Sequence, residues 1–421
     1  APPNSGNLIG YRPTGAMGGI GPDHERPAGF QIASVRPAPA AVETVPRAAA
    51  ITPPPRFTLD GDDALERHLE RTCTRVLSGI RGLVPARKLE AVLLGGGYGR
   101  GEGGVLRGPA GDRPYNDLEF SVAIKGNRHV NEFRYHRRLE VLGEILTHLA
   151  DAEVEFKITS LAEMAARPVS MFSYDLVSGH RWLVGDPAWV GRLAHHRAAD
   201  QIPLSEATRL LMNRGSGLLF ARERLEKSEF TAADADFVRR NIAKAELALG
   251  DAVLVAHGLY HWSVRERHRQ LERLARTARP PWIEAVRHHH AAGVEFKLYP
   301  ERSVAARDAL QTSHAAVTAL AGQIWRWLEG ERLHQEFPSA RAYAESRRDK
   351  CPGTSAPRNV LLHLRALGLR PLLAARAGRH PRERIFHALA LLLWEPAVLT
   401  EPTLRERLQH ELRIHPPGTH H

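Results

Sequence analysis

Two carboxylates one residue apart, Asp117 and Glu119, are the chain's clearest candidates for chemistry. They lie in Asn116-Asp117-Leu118-Glu119-Phe120-Ser121-Val122-Ala123-Ile124, where polar and apolar residues alternate with the period of a half-buried strand. Side chains two apart leave the same face of a strand, with their Cα atoms about 7 Å apart. Two negative charges on one face repel each other unless a cation neutralises them. Magnesium (Mg2+) fits, because it takes oxygen ligands and keeps positions for phosphate oxygens; manganese (Mn2+) is the alternative. The competing reading is a strand whose acidic face sits in water.

A second segment strengthens the metal reading. The apolar run Leu89–Leu94 passes straight into Gly95-Gly96-Gly97-Tyr98-Gly99-Arg100-Gly101-Glu102. Glycines let backbone N–H groups approach a phosphate closely, and an arginine adds a charge-assisted contact to the same anion. Gly96, Gly97, Tyr98, Gly99 and Arg100 are therefore the candidate nucleotide-binding residues. A third carboxylate is expected from the next alternating run, Glu153-Val154-Glu155-Phe156-Lys157-Ile158. Glu155 sits deeper in that run than Glu153 and is preferred, either to help hold an ion or to act as general base. The catalytic set expected from the residues is Asp117, Glu119 and Glu155, with Asp117 and Glu119 as metal ligands.

Gly96-Gly97-Tyr98-Gly99-Arg100-Gly101-Glu102 followed by Asn116-Asp117-Leu118-Glu119-Phe120 resembles the polymerase-β-type nucleotidyltransferase superfamily. The glycine segment is most similar to the protein-PII uridylyltransferase branch. The resemblance covers about 85–160. It implies magnesium-dependent transfer of a nucleoside monophosphate from a nucleoside triphosphate (NTP) such as ATP to an acceptor hydroxyl of a small molecule or protein, releasing pyrophosphate. It assigns the triphosphate to Gly96 and Gly97, the metal to Asp117 and Glu119, and a third carboxylate loosely to Glu155. Two features depart from the pattern. The stretch Gly103–Asn116 is longer than usual in that branch, and the second metal carboxylate is Glu where Asp is commoner.

Other motifs carry less. Gly99-x-Gly101-x-x-Gly104 matches the dinucleotide fingerprint, but no helical pattern follows it. Val122-Ala123-Ile124-Lys125 spells the kinase strand lysine, yet no Asp-Phe-Gly or His-Arg-Asp occurs. His288-His289-His290 is expected at a solvated helix end. Arg240, Lys244, Tyr260 and Arg265 fall in helices after the acidic segment; one reading has them face the cleft to hold the acceptor or the base, and the favoured reading leaves them on the surface. The tetrapeptide Val-Glu-Phe-Lys occurs at 154–157 and again at 294–297, with no evident reason.

The elements that must position these residues follow from periodicity. A helix is expected from about Asp62 to Leu83, with Leu65, Leu69, Cys73, Val76, Leu77 and Ile80 on one face. Strands follow at 89–94, 116–124, 153–158 and 180–184, with a helix at Tyr135–Leu149. From Pro203 the pattern is helical, clearest at Leu204–Glu226, Ala232–His257 and Val264–Thr277; a short extended piece is expected at Gly293–Pro300. The fold class is α/β (α+β), a small mixed sheet of nucleotidyltransferase type with helices, followed by a mainly α-helical C-terminal region. The expected divisions are a Pro/Ala-rich disordered segment at 1–55, a catalytic domain at 56–195, a helical domain completing the cleft at 196–300, and a further helical, basic region at 301–421.

Charge and composition narrow the partners. The chain has 421 residues and a net charge of +11, which favours anionic partners. Residues 351–421 hold ten Arg and Lys against five Asp and Glu, which raises RNA as a less favoured acceptor; the other alternative is a catalytically impaired nucleotide-sensing or interaction protein that keeps the fold. Two cysteines far apart argue against a disulfide framework or a zinc site. No run is apolar and long enough to span a bilayer, so a cytoplasmic protein without membrane contact is expected.

Overall fold

The computed structural model describes residues 56–278, 280–302, 305–367 and 378–401, with 403, 405, 406, 408 and 409 beyond them. The expectation for 1–55 lies outside these residues. Helix α1 (Asp63–Leu83) starts on the Asp62 carboxylate, which accepts the Leu65 N–H at 2.7 Å. Leu65, Leu69, Cys73, Val76 and Ile80 form its buried face, at the helical spacing read from the sequence. Strand β1 (Leu89–Leu94) leads into the one-turn helix α2 (Gly96–Gly99). Strands β2 (Val105–Leu106) and β3 (Arg113–Pro114) pair as a small hairpin. Strand β4 (Leu118–Ile124), helix α3 (Arg128–Ala150) and strand β5 (Val154–Thr159) follow. Helices α4 (Leu161–Ala165) and α5 (Met171–Ser178) precede strand β6 (Arg181–Gly185).

The main sheet is mixed, in the order β5-β4-β1-β6. β1 runs antiparallel to β4 and β6, while β4 and β5 are parallel. The period-two alternation sorts its side chains onto two faces. Val92, Leu94, Leu118, Phe120, Val122 and Ile158 join α1 and α3 in one core. Ala91, Leu93 and Ala123 face the other way, under α4 and α5. Asp117, Glu119, Glu153 and Glu155 share the parity of that second face, beyond the cover of its apolar cluster.

The remainder is helical. After the short α6 (Trp189–Arg192) come α7 (Leu204–Leu225), α8 (Ala232–Ala256), α9 (Val264–Ala275) and α10 (Ile283–Leu298). Then follow α11 (Arg307–Leu333), α12 (Ala340–Glu345), α13 (Ala356–Leu367), α14 (Arg382–Trp394) and α15 (Pro396–Thr400). The expected division near residue 300 does not separate two cores. Leu218, Val253, Val317, Trp325 and Leu389 belong to one buried cluster, built by helices from both sides of that position. The extended piece expected at Gly293–Pro300 is instead the end of α10. Val286, His290, Val294 and Leu298, spaced by four, all lie on its buried face, so the helical period carries through. No helix among the described residues is long and apolar enough to cross a membrane.

Candidate active site

The glycine segment sits where β1 ends and is tied directly to the acidic strand. The Gly95 N–H donates to the Glu119 carbonyl at 2.8 Å. Gly96 follows with φ of +60°, a conformation that strains any residue with a Cβ. A Cβ there would also lie 3.1 Å from Glu119 Oε1, so the exposed Glu119 carboxylate leans against the turn. The first N–H groups of a helical turn have no intrahelical acceptor, and Gly96 lines the cleft beside them.

The other loop residues do different work. Gly97 and Gly99 are buried: a Cβ would lie 2.9 Å from the Glu102 carbonyl at Gly97 and 2.1 Å from the Leu94 carbonyl at Gly99. They permit close packing of backbone on backbone, and a bulky residue at either would damage the turn itself. Tyr98 is not open to a nucleotide. It is 0% exposed, its hydroxyl donates to the Gly104 carbonyl at 2.8 Å, and it accepts the Tyr115 N–H at 2.9 Å. It pins the base of the hairpin, which also explains the long Gly103–Asn116 stretch. That extra length folds into β2 and β3 and is closed by the Gly104 N–H on Asn116 Oδ1 at 2.8 Å. Tyr98→Phe leaves both partners without the hydroxyl and should cost about 1–3 kcal/mol of stability, read as a fall in the urea midpoint at unchanged slope. A fall below about 0.5 kcal/mol would contradict the pinning role.

Arg100 and Glu102 anchor the loop to the helices. Arg100 faces Asp175 of α5 at 3.6 Å, and the Tyr260 hydroxyl donates to the same carboxylate at 3.1 Å. Glu102 accepts the Ser263 hydroxyl at 2.5 Å and the Val264 N–H at 2.8 Å, with Arg265 Nε at 3.4 Å. Behind them Arg267 and Asp251 form a buried pair at 2.6 Å. Tyr260 and Arg265, expected on the surface, are thus part of the junction between loop and helices, and Tyr260 is 3% exposed. Arg100 still lines the cleft.

The parallel register of β4 and β5 sets Glu119 beside Glu155. Asp117, Glu153 and Glu155 each offer a carboxylate oxygen, and these oxygens lie within 4.8 Å of one another. Burial, and then the Asp117 charge, push the Glu153 carboxyl above the usual carboxylate range. Glu153, set aside in favour of Glu155 on sequence, therefore belongs to the cluster equally. Glu119 is not a member of this closest group; its carboxylate sits toward Gly96. The four acids line one side of the fold as an array rather than as a single ligand pair.

A cleft of about 510 Å³ opens beside this array, lined by Glu119 and Glu155 of its four acids. Gly96, Glu119, Ser121, Glu155 and Lys157 line its sheet side; Asn213, Arg214, Asp251, Arg267 and Lys297 line its helical side. Burial, and then the Arg214 charge, push the Lys244 ammonium down to about 8, against the pull of Asp117 and Glu119. Burial, and then Arg100 and Arg267, do the same to Lys297, also to about 8. Among the described residues, the side chains of Arg214, Lys244 and Lys297 have no ion-pair or hydrogen-bond partner. Lys244 was expected on the surface; Arg214 and Lys297 carried no sequence signal of their own. His290, expected at a solvated end, is 0% exposed in mid-helix, with Nδ1 3.2 Å from His268 Nδ1 and Nε2 3.4 Å from Asp251. Cys73 and Cys351 are free thiols.

No family model and no curated protein matches the chain.

Proposed function

We propose that the chain is a metal-dependent nucleotidyltransferase of the polymerase-β type, moving a nucleoside monophosphate from a triphosphate to an acceptor hydroxyl. The observation that carries this reading is the pairing of opposites across one cleft. Carboxylates gather on the strand side beside a glycine turn, and unpartnered cations stand on the helical side. Acids alone fit a solvated strand, and cations alone fit any anion site; a metal–triphosphate complex needs both.

The donor set suits magnesium. Asp117, Glu153 and Glu155 supply only hard oxygen atoms, and their spacing allows a single ion to take one from each. The raised Glu153 carboxyl is what a cation would relieve. With Glu119 beside the turn, these residues would hold the metal, which when bound supplies charge neutralisation for the reacting phosphate. Gly96 leaves room for phosphate against the turn. Arg214, Lys244 and Lys297 hold the triphosphate oxygens. Glu155 accepts the acceptor's hydroxyl proton. The acceptor oxygen then bonds to the α-phosphorus, the bond to the β-phosphate oxygen breaks, and pyrophosphate leaves.

The direct test is incubation with each NTP labelled at the α-phosphate, with magnesium or manganese, in the presence of a cell extract. Transfer of label to an acceptor with matching pyrophosphate release is the expected result. Binding of the triphosphate without any release would instead favour a non-catalytic nucleotide sensor. The position of Glu119 outside the closest carboxylate group is the observation on that side.

A further inference from the structure

A second cavity, of about 330 Å³, opens beside the acidic cleft. Arg128, Lys157, Phe172 and Arg209 line both spaces. The partition between them is the Lys157 ammonium, 3.4 Å from the Phe172 ring centroid. Much of the remaining wall is apolar, including Met164, Val169 and Phe386.

Its charge is lopsided. Seven arginines and lysines line it against two glutamates, Glu163 and Glu206. Most of the cations are satisfied within the protein. Arg167 meets Glu163 at 3.3 Å, Arg209 meets Glu206 at 2.5 Å, and Arg332 grips Glu329 through bonds of 2.7 and 2.6 Å. Lys350 donates to the Ser346 and Arg348 carbonyls at 3.1 and 2.9 Å. The second oxygen of Glu206 is taken by the Met171 N–H at 3.2 Å. Arg382, half-buried at the start of α14, has a guanidinium with no hydrogen-bond or ion-pair partner among the described residues. Arg209 lies near enough to oppose its charge. Two neighbouring guanidiniums with one carboxylate between them leave one fork for a phosphate or carboxylate, which it can hold bidentately.

We infer that this cavity takes the acceptor, and that the acceptor is a small hydroxylated molecule with an apolar body and a phosphate or carboxylate held by Arg382. This rests on the nucleotidyltransferase reading for the adjoining cleft. The shared wall of Arg128, Lys157, Ile158, Phe172 and Arg209 places such a molecule immediately beside the bound triphosphate. The volume is at the lower end of small-ligand pockets, which run from about 300 to 1,000 Å³, and does not admit a nucleic-acid strand or a folded partner.

The test uses the full chain and simple probes: phenyl phosphate, benzoate, and benzyl alcohol as the uncharged control, each titrated calorimetrically. A magnesium complex of a non-hydrolysable ATP analogue is titrated separately. At least one of the two anions should bind while benzyl alcohol binds far more weakly, and which anion binds distinguishes phosphate from carboxylate. Arg382→Gln should weaken that anion about tenfold or more, Arg382→Lys should retain part of the affinity, and the analogue's affinity should stay the same in all forms. Ser205→Trp, at an exposed position lining this cavity, should block the anion and serves where Arg382→Gln does not fold. The inference is overturned if neither anion binds, if both variants bind it as the wild type does, or if the analogue displaces it competitively. Should the analogue bind no form while the anion still depends on Arg382, the nucleotidyltransferase reading fails and the anion pocket stands.

Discussion

Asp117→Ala should reduce magnesium-dependent triphosphate turnover about a thousandfold or more while leaving the melting temperature within a few degrees of the wild type. The size follows from the proposed role. Losing one carboxylate from a metal site that stabilises transition-state charge removes several kcal/mol, and about 4 kcal/mol corresponds to a factor of about 10³ in rate. The small structural effect follows from position. Asp117 precedes β4, is half-exposed, and belongs to none of the hydrophobic clusters. Asp117→Asn keeps the shape and much of the hydrogen-bonding capacity but not the charge, and should be nearly as inactive. The magnesium-linked rise in melting temperature should fall in both variants. Equal pyrophosphate release by wild type and Asp117→Ala, with equal magnesium-linked stabilisation, would sink the metal assignment. Gly97→Val is a poor substitute, because a Cβ there meets the Glu102 carbonyl, so loss of nucleotide affinity would report a damaged turn.

The sequence was most legible where chemistry is local. Alternation and helical spacing placed β1, β4, β5 and β6 within a few residues, and α1, α7, α8 and α9 nearly as well, because each buries one face and its period is written in consecutive residues. The carboxylates of β4 and β5 were visible for the same reason. What was hidden depends on distance in the chain. Arg214 and Lys297 lie on helices far downstream of Asp117, and nothing in their immediate neighbours marks a cation that ends without a partner. Tyr98 reads as a ligand contact in the sequence because a tyrosine among glycines looks open; its two hydroxyl bonds are to Gly104 and Tyr115, residues that reach it only after the hairpin closes. The repeated Val-Glu-Phe-Lys makes the point sharply. At 154–157 it is a strand paired to β4, and at 294–297 it is helix packed on α8. Tertiary context decides between the two. Yet Lys157 and Lys297, the last residue of each copy, both line the same cleft.

Replacing Lys244 and Lys297 together by methionine should weaken triphosphate binding about a hundredfold and at the same time make the unliganded protein more stable. Each ammonium loses water by burial, Lys297 in the cleft wall and Lys244 near Asp117 and Arg214, and gains no ion-pair partner among the described residues, so each is a standing cost until an anion arrives. A charge-assisted contact contributes about 1.5–3 kcal/mol, so losing two accounts for the expected fall in affinity. The pH dependence carries the sign. Burial, together with Arg214 for Lys244 and with Arg100 and Arg267 for Lys297, lowers both groups from 10.5 to about 8. Between those values the unfolded chain binds more protons than the native one, so this contribution to stability rises as pH increases from about 8 to 10.5 and is least favourable below 8. Triphosphate affinity runs the other way: full below about 8, where both lysines are charged, and falling above it as they lose their protons. The double variant should therefore show higher stability at pH 7, a flatter stability profile across the alkaline range, and a triphosphate affinity that no longer falls above pH 8. Thermal melts and calorimetric titrations at pH 7, 8 and 9 on both proteins measure all three. A variant that is less stable and binds the triphosphate as well as the wild type would mean that these lysines support the helices and never meet the nucleotide.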